Sequence, residues 1–374
     1  MKPTLLVSLL CLISMAKAQT PSGHTLNLLV GTYSSPEKNP GIQVYSFNTE
    51  TGEFKSKAEA TAIKNPSYLA ITQDRKHVYS VSEGNVGTIS AFAFNAVTGQ
   101  LTFLNTAPSG SNGPCYVSVD DKNKFVFAGN YGGGSIAAIP INADGSLNSD
   151  IQNIQHEGKS IEPNQDRPHV HAAVLSPDNK FLFVPDLGTD KVNIYQVDYT
   201  KQKPLSPANP AFASIATGGG PRHFTFHPNG KFAYVIHENT GEVTVFDYAN
   251  GHLKEKQRVS MPAAGHTGNV HAADIHISPD GKFLYGSMRA EINELGIYAI
   301  DKKGMMTFVG RQSTMGKIPR NFAIDPTGNF LLVANQNTDD VVIFKRDKKT
   351  GLLTDTGKRI SVGKPVCLKF VAAN

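Results

Sequence analysis

Three features of this 374-residue sequence predict an all-β, seven-bladed β-propeller closed by its own two ends. A strand–turn–strand unit recurs along the chain, and its period is near 50 residues. The first and last segments each hold the part of a unit that the other lacks.

The unit is plainest in VLSPDNKFLFVPDLGTDKVNIYQVD (174–198), FTFHPNGKFAYVIHENTGEVTVFDY (224–248), IHISPDGKFLYGSMRAEINELGIYAID (275–301) and FAIDPTGNFLLVANQNTDDVVIFKRD (322–347). Each copy has an alternating apolar segment, a turn opened by proline, and a second apolar run. A polar loop and a third strand with aromatic residues follow. Period-2 strands joined by tight turns form antiparallel meanders. The turn prolines Pro177, Pro228, Pro279 and Pro326 serve as markers, with Gln73 and Asp121 at the same place in two weaker copies. From residue 73 onward the spacings are 48, 56, 51, 51 and 47.

Six markers are visible, and the chain ends supply the seventh blade. LNLLVGTY (26–33) and GIQVYSFN (41–48) read as second and third strands without a first, while KPVCLKFVAA (364–373) reads as a first strand with nothing after it. Pairing them removes two open sheet edges. No long stretch carries a helical period, which excludes a two-domain α/β arrangement.

Residues 1–18 have the layout of a secretory signal peptide: Lys2, an apolar run from Leu5 to Met15, and Ala16-Lys17-Ala18 before the cleavage point. That run is about half of the ~20 residues a spanning helix needs. Leu10 stands where a lipoprotein signal around Cys11 would carry a small residue. The expected product is a periplasmic or secreted protein, with residues 19–374 forming a single propeller domain and no membrane association after cleavage. The formal charge of +5 falls to about +3 without Lys2 and Lys17, and the basic residues are scattered, so nucleic acid is not an expected partner. The mature chain keeps only Cys115 and Cys367, in first strands two blades apart, too far for a disulfide. A monomer without a cofactor is expected.

In a blade the first strand lies nearest the axis and the second runs back antiparallel. The start of one and the end of the other therefore meet at one rim. Six residues before each marker stand Ser67, Cys115, His171, Arg222, Ala273 and Arg320; ten residues after it stand Glu83, Tyr131, Leu187, Glu238, Arg289 and Gln336. Expected neighbours on the rim are His169, Asp186, His223, His237, His271, Asn130 and Asn335. Ionisable groups gathered around a narrow funnel shift one another's pKa, as functional sites do, although salt bridges between blades would use the same residues.

Other motifs carry less. Gly132-Gly133-Gly134 and Gly218-Gly219-Gly220 lack the Lys-Ser/Thr and helix of a phosphate-binding loop and read as turns. In His169-Val170-His171 only one histidine of an alternating strand would point inward, so no metal pair is expected there. His227 and His276 read as ordinary strand residues, and Tyr45, Tyr195, Tyr285 and Phe246 as blade packing.

The segments HAAVLSPDNKFLFVPDLGTDKV (171–192), GPRHFTFHPNGKFAYVIHEN (220–239), AADIHISPDGKFLYGSMR (272–289) and PRNFAIDPTGNFLLVANQN (319–337) resemble the lactonase β-propeller family, as do the opening LLVGTYSS and closing GKPVCLKF. That family includes propeller-type bacterial 6-phosphogluconolactonase and fungal carboxy-cis,cis-muconate cyclase. The resemblance implies a histidine, an arginine, a glutamate and a second arginine, which fall on His171, Arg222, Glu238 and Arg289 as candidate catalytic residues. Arg320, Glu83, His223 and Asn335 join them as candidate substrate-binding residues, with no metal. It implies a 6-phosphogluconolactonase-like carboxylic ester hydrolase acting on a small sugar lactone. On that reading Glu238 or His171 is expected to act as general base, and Arg222 and Arg289 to meet the oxyanion or an anionic group of the substrate. The family's phosphorylated lactone arises in the cytosol, so either the substrate is another lactone met outside it or residues 1–18 are not an export signal; the signal layout favours the first. Two other classes fit the same mouth: a non-catalytic carbohydrate- or protein-binding propeller, and a muconate-type cycloisomerase.

Overall fold

A computed structural model of the chain describes residues 23–35 and 40–373; the proposed signal peptide, residues 1–18, lies outside them. The described residues form seven four-stranded antiparallel sheets and only two short 3₁₀ turns, Pro163–Gln165 and Leu187–Thr189. The first blade is built as the sequence predicts, with Pro365–Ala372 innermost, then Thr25–Thr32, Ile42–Asn48 and Phe54–Ala60. The six remaining blades follow in chain order, their innermost strands beginning at Leu69, Pro114, Val174, Pro221, Ala272 and Pro319.

The repeat has a physical cause at its turn. In the fourth blade the Ser176 hydroxyl donates to Asp178 at 2.6 Å and accepts from the Phe181 amide at 3.0 Å; Ser278, Asp280 and Phe283 repeat this in the sixth. Asp120 and Asp325 take the same role, each accepting from the amide five residues on. The recurring motif thus shapes the hairpin.

Five of the seven second strands are buried throughout, Phe125–Asn130, Phe181–Asp186, Phe232–His237, Phe283–Met288 and Phe330–Asn335, because both of their faces lie against neighbouring sheets. Buried tyrosines need a partner for the hydroxyl. Tyr79, Tyr234 and Tyr285 each reach a carbonyl in the following blade, at Gly145, Gly304 and Gly351 (3.0, 2.8 and 2.7 Å). Tyr285 therefore does more than pack: it latches one sheet to the next.

At the closure, Leu26 to Gly31 pair in register with Ala372 to Cys367. A Cβ on Gly31 would stand 2.3 Å from the Pro66 carbonyl oxygen, so only glycine lets the first and second blades approach this closely.

One departure affects the site. The innermost strand of the fourth blade is only Val174–Leu175, and Val170 meets Asp186 as an isolated bridge. The strand alternation expected at 169–171 is absent, and both histidines are buried.

Candidate active site

Four of the first strands open at a proline, and the register shows why one rim gathers the chemistry. Pro114 faces Asn130, Pro221 faces His237, Pro319 faces Asn335 and Pro365 faces Thr32. The residue after each proline then turns toward the axis, giving Cys115, Arg222, Arg320 and Val366. Cys115, His171, Arg222 and Arg320 share one small cavity with Ser67, His223 and Val366.

Glu238 is the centre of the charge. Its Oε2 accepts from Arg222 Nε at 2.7 Å and lies 3.0 Å from Arg289 Nη2; Oε1 stands 3.9 Å from His271 Nδ1. Burial opposes its charge, but Arg289, the His271 ring and Arg222 hold the carboxyl well below its usual range. Arg222 is fully buried, its Nη1 donating to the Ala273 carbonyl at 2.5 Å and to His223 Nε2 at 3.3 Å. Arg289 Nε donates to the His271 carbonyl at 2.8 Å. Burial pushes Arg289 down to about 10, against Glu238, so it remains a cation at neutral pH.

Arg320 differs. Its guanidinium lies over the Tyr33 ring, 5.4 Å from the centroid, and makes no hydrogen bond or ion pair among the described residues. Glu83, on the same side of the mouth, accepts from the hydroxyls of Tyr33 (2.8 Å) and Ser67 (2.5 Å) and favours the Arg320 charge. The ring therefore has two arginines engaged with a carboxylate and one guanidinium open to a ligand.

His171 is buried between the rings of Tyr131 and His223, with centroids 5.4 Å away in each case. Its Nδ1 lies 3.7 Å from Cys115 Sγ, and its Nε2 has no hydrogen bond among the described residues. Burial, Arg222 and His223 hold the imidazole well below its usual range, so it is neutral near pH 7 and carries a free lone pair. The Cys115 thiol is no nucleophile: burial, then Glu83, push it up to about 12. The cavity these residues share is about 10 Å³, room for about one water.

Several residues expected on the rim lie elsewhere. Asn335 is fully buried, its amide donating to the Thr314 carbonyl at 3.0 Å, so it cannot meet a substrate. Asn130, Asp186 and His237 are likewise buried between sheets, bound to Ser109, His156 and Thr244. These strand-end side chains point into the sandwich because the pleat alternates. His169 stacks on Tyr131 at 4.4 Å, and its Nδ1 donates to the Tyr131 carbonyl at 2.9 Å. His223 sits one layer below the rim, beneath Arg222. Its Nδ1 donates to Asp274 Oδ1 at 2.7 Å, which leaves Nε2 as the acceptor for Arg222. Burial and Arg222 push this imidazole down to about 4, consistent with a neutral ring in that tautomer.

Asp274, Asn321 and Tyr33 escaped the sequence reading. Asp274 is buried and accepts from His223, His276 (2.9 Å), Asn321 (2.5 Å) and two backbone amides. It stands one residue beyond the rim position in its blade, and Asn321 does the same in the next; a second register count would have found that layer. Tyr33 follows Thr32, which pairs with Pro365 as His237 pairs with Pro221, so it is the first blade's counterpart of Glu238. The chain break hid it, because that blade has no turn marker. Cys115 and Cys367 are both buried and free, as the blade spacing requires. Among the described residues no group of three or more His, Cys, Asp or Glu is gathered to hold a metal, and no helix is long and apolar enough to cross a membrane.

A seven-sheet ring that gathers His171, three arginines and two glutamates at one mouth is a propeller with a charged funnel at its axis. Residues 27–370 match the family described as lactonase, 7-bladed β-propeller, and the chain belongs to that family. It is 37% identical over 349 residues to the 6-phosphogluconolactonase of Bacillus subtilis, covering 91% of this chain and 97% of the relative. A putative 6-phosphogluconolactonase from Bacteroides fragilis superposes with a TM-score of 0.89 at 41% identity, covering 94% of this chain and 99% of that one. The periplasmic gluconolactonase of Pseudomonas aeruginosa gives 0.89 at 38% identity, covering 94% and 100%.

Proposed function

We propose that the protein is an exported lactone hydrolase that opens a sugar lactone in this funnel. The observation that carries the reading is the shared cavity of two unengaged groups, His171 Nε2 and the Arg320 guanidinium. The relatives named for lactonase activity support it, and the periplasmic Pseudomonas protein supports export.

Hydrolysis needs a base for water and a cation for the carbonyl oxygen. The neutral His171 takes a proton from a water in the cavity as its oxygen attacks the lactone carbonyl carbon. Negative charge gathers on the carbonyl oxygen against Arg320, with Arg222 behind it. Collapse of the tetrahedral adduct breaks the bond to the ring oxygen, and the His171 imidazolium returns its proton to that oxygen. A depressed pKa makes the imidazolium a strong acid for this second transfer. The two arginines hold Glu238 as a carboxylate, and its part in this scheme is to fix Arg222 and Arg289. The scheme uses no cofactor.

A panel of sugar lactones followed by pH-stat tests the reading. Acid release well above the spontaneous rate is the expected result. Tight binding without turnover would make the protein a binding propeller, and loss of muconate ultraviolet absorbance instead would make it a cycloisomerase.

A further inference from the structure

Beside the arginine funnel lies a groove of about 380 Å³, within the size range of small-molecule sites. Its polar lining is Glu162, Asn164, Asn239, Asn269 and His271. It lies beside Glu238: His271, on the groove wall, brings Nδ1 within 3.9 Å of Glu238 Oε1, and Asn239 follows Glu238 in sequence.

The groove is built and held. Asn164 sits on the 3₁₀ turn Pro163–Gln165 and donates from Nδ2 to Asn239 Oδ1 at 2.8 Å. Asn239 in turn donates from Nδ2 to the Gly218 carbonyl at 3.1 Å. The turn is pinned by buried Gln165, whose amide donates to the Leu187 carbonyl and to Asp190 Oδ1, both at 2.7 Å. Two amides are thus fixed in orientation beside a carboxylate and an imidazole, and no lysine or arginine lines the groove.

From this we infer that the groove is the subsite for the far end of the lactone, and that this end is an uncharged polyol, not a phosphate ester. The inference rests on the lactonase reading. Sugar hydroxyls both donate and accept, which suits amides, a carboxylate and an imidazole. A phosphate only accepts at neutral pH and brings about −1.5 to −2 charges, which Glu162 repels. The nearest cations are engaged: Arg222 and Arg289 hold Glu238 and main-chain carbonyls, and Arg320 is the partner of the reacting carbonyl.

Steady-state hydrolysis of glucono-δ-lactone and of its 6-phosphate by the purified protein tests this, with Glu162→Lys as the companion variant and a thermal melt to confirm its fold. The free lactone is expected to have a kcat/KM at least ~10-fold higher, since Glu162 opposes the phosphate's charge in a groove that no lysine or arginine lines. Glu162→Lys is expected to shrink that ratio at least ~3-fold by replacing repulsion with attraction. Equal use of both substrates, preference for the phosphate, or a ratio unmoved by Glu162→Lys would overturn the subsite while leaving the lactonase reading intact. Turnover of neither would overturn both.

Discussion

Arg222 and Glu238 face each other at 2.7 Å across one blade, the first fully buried and the second open to the funnel along one edge. Removing either charge leaves the other in a site where water cannot replace it. Loss of one partner of a buried pair costs about 3–5 kcal/mol. Glu238→Gln keeps the shape and frees two guanidiniums that then repel each other. Its melting temperature should fall, and lactone turnover should drop by at least ~10²-fold. A stable variant with unchanged turnover would remove Glu238 from the site.

Arg320 should behave differently, because it makes no hydrogen bond or ion pair among the described residues, and Tyr33 and Glu83 favour its charge only from a distance. Arg320→Gln is expected to leave the melting temperature within a few degrees and to lower kcat by about 10²-fold, the scale for losing one oxyanion donor. A rise in KM with kcat unchanged would place Arg320 on ground-state binding alone.

Asp274 reaches the site through His223. Asp274→Ala frees His223 to place a proton on Nε2, where it would face Arg222 Nη1 donor to donor. Groups standing behind a site residue typically change activity by about 10–100-fold. A loss of that size in kcat, with KM little changed, is expected alongside a lower melting temperature. If stability falls and kcat does not, Asp274 serves only to tie the fifth, sixth and seventh blades.

How much of this was readable beforehand depends on what the repeat encodes. The repeat marks the turn that Ser176, Asp178 and their counterparts shape, so counting from it located Arg222, Glu238, Arg289, Arg320 and His171 at one mouth. Counting does not fix which way a strand-end side chain points. Asn335 and His237 consequently fall into the sheet sandwich, although they neighbour rim positions. Nor does it report depth along the axis, so it does not separate His223, one layer below the rim, from the rim residues, and it does not reach Asp274. The groove at Glu162 and Asn164 lies in a loop outside the repeat, and no period could reveal it.

The pH response follows from the buried histidines. His223 and His237 are pushed down by burial to about 4 and about 3, and His171 also lies well below its usual range. Unfolded, each would take up a proton near pH 6.5, about its ordinary value. Below that pH the unfolded state binds more protons, so stability is greatest above about 6.5 and declines toward 4. Melting temperatures should be flat from pH 7 to 8 and fall progressively from 6.5 to 4. The acid limb of kcat/KM should lie below the usual histidine range; a limb at about 6.5 would point to an ordinary, solvated base.

The most direct test of the site is the rate of glucono-δ-lactone hydrolysis by the protein and by His171→Ala, with circular dichroism confirming the same fold. The account predicts clear catalysis by the parent and a loss of at least ~10²-fold in kcat in the variant. Equal turnover by both would contradict it.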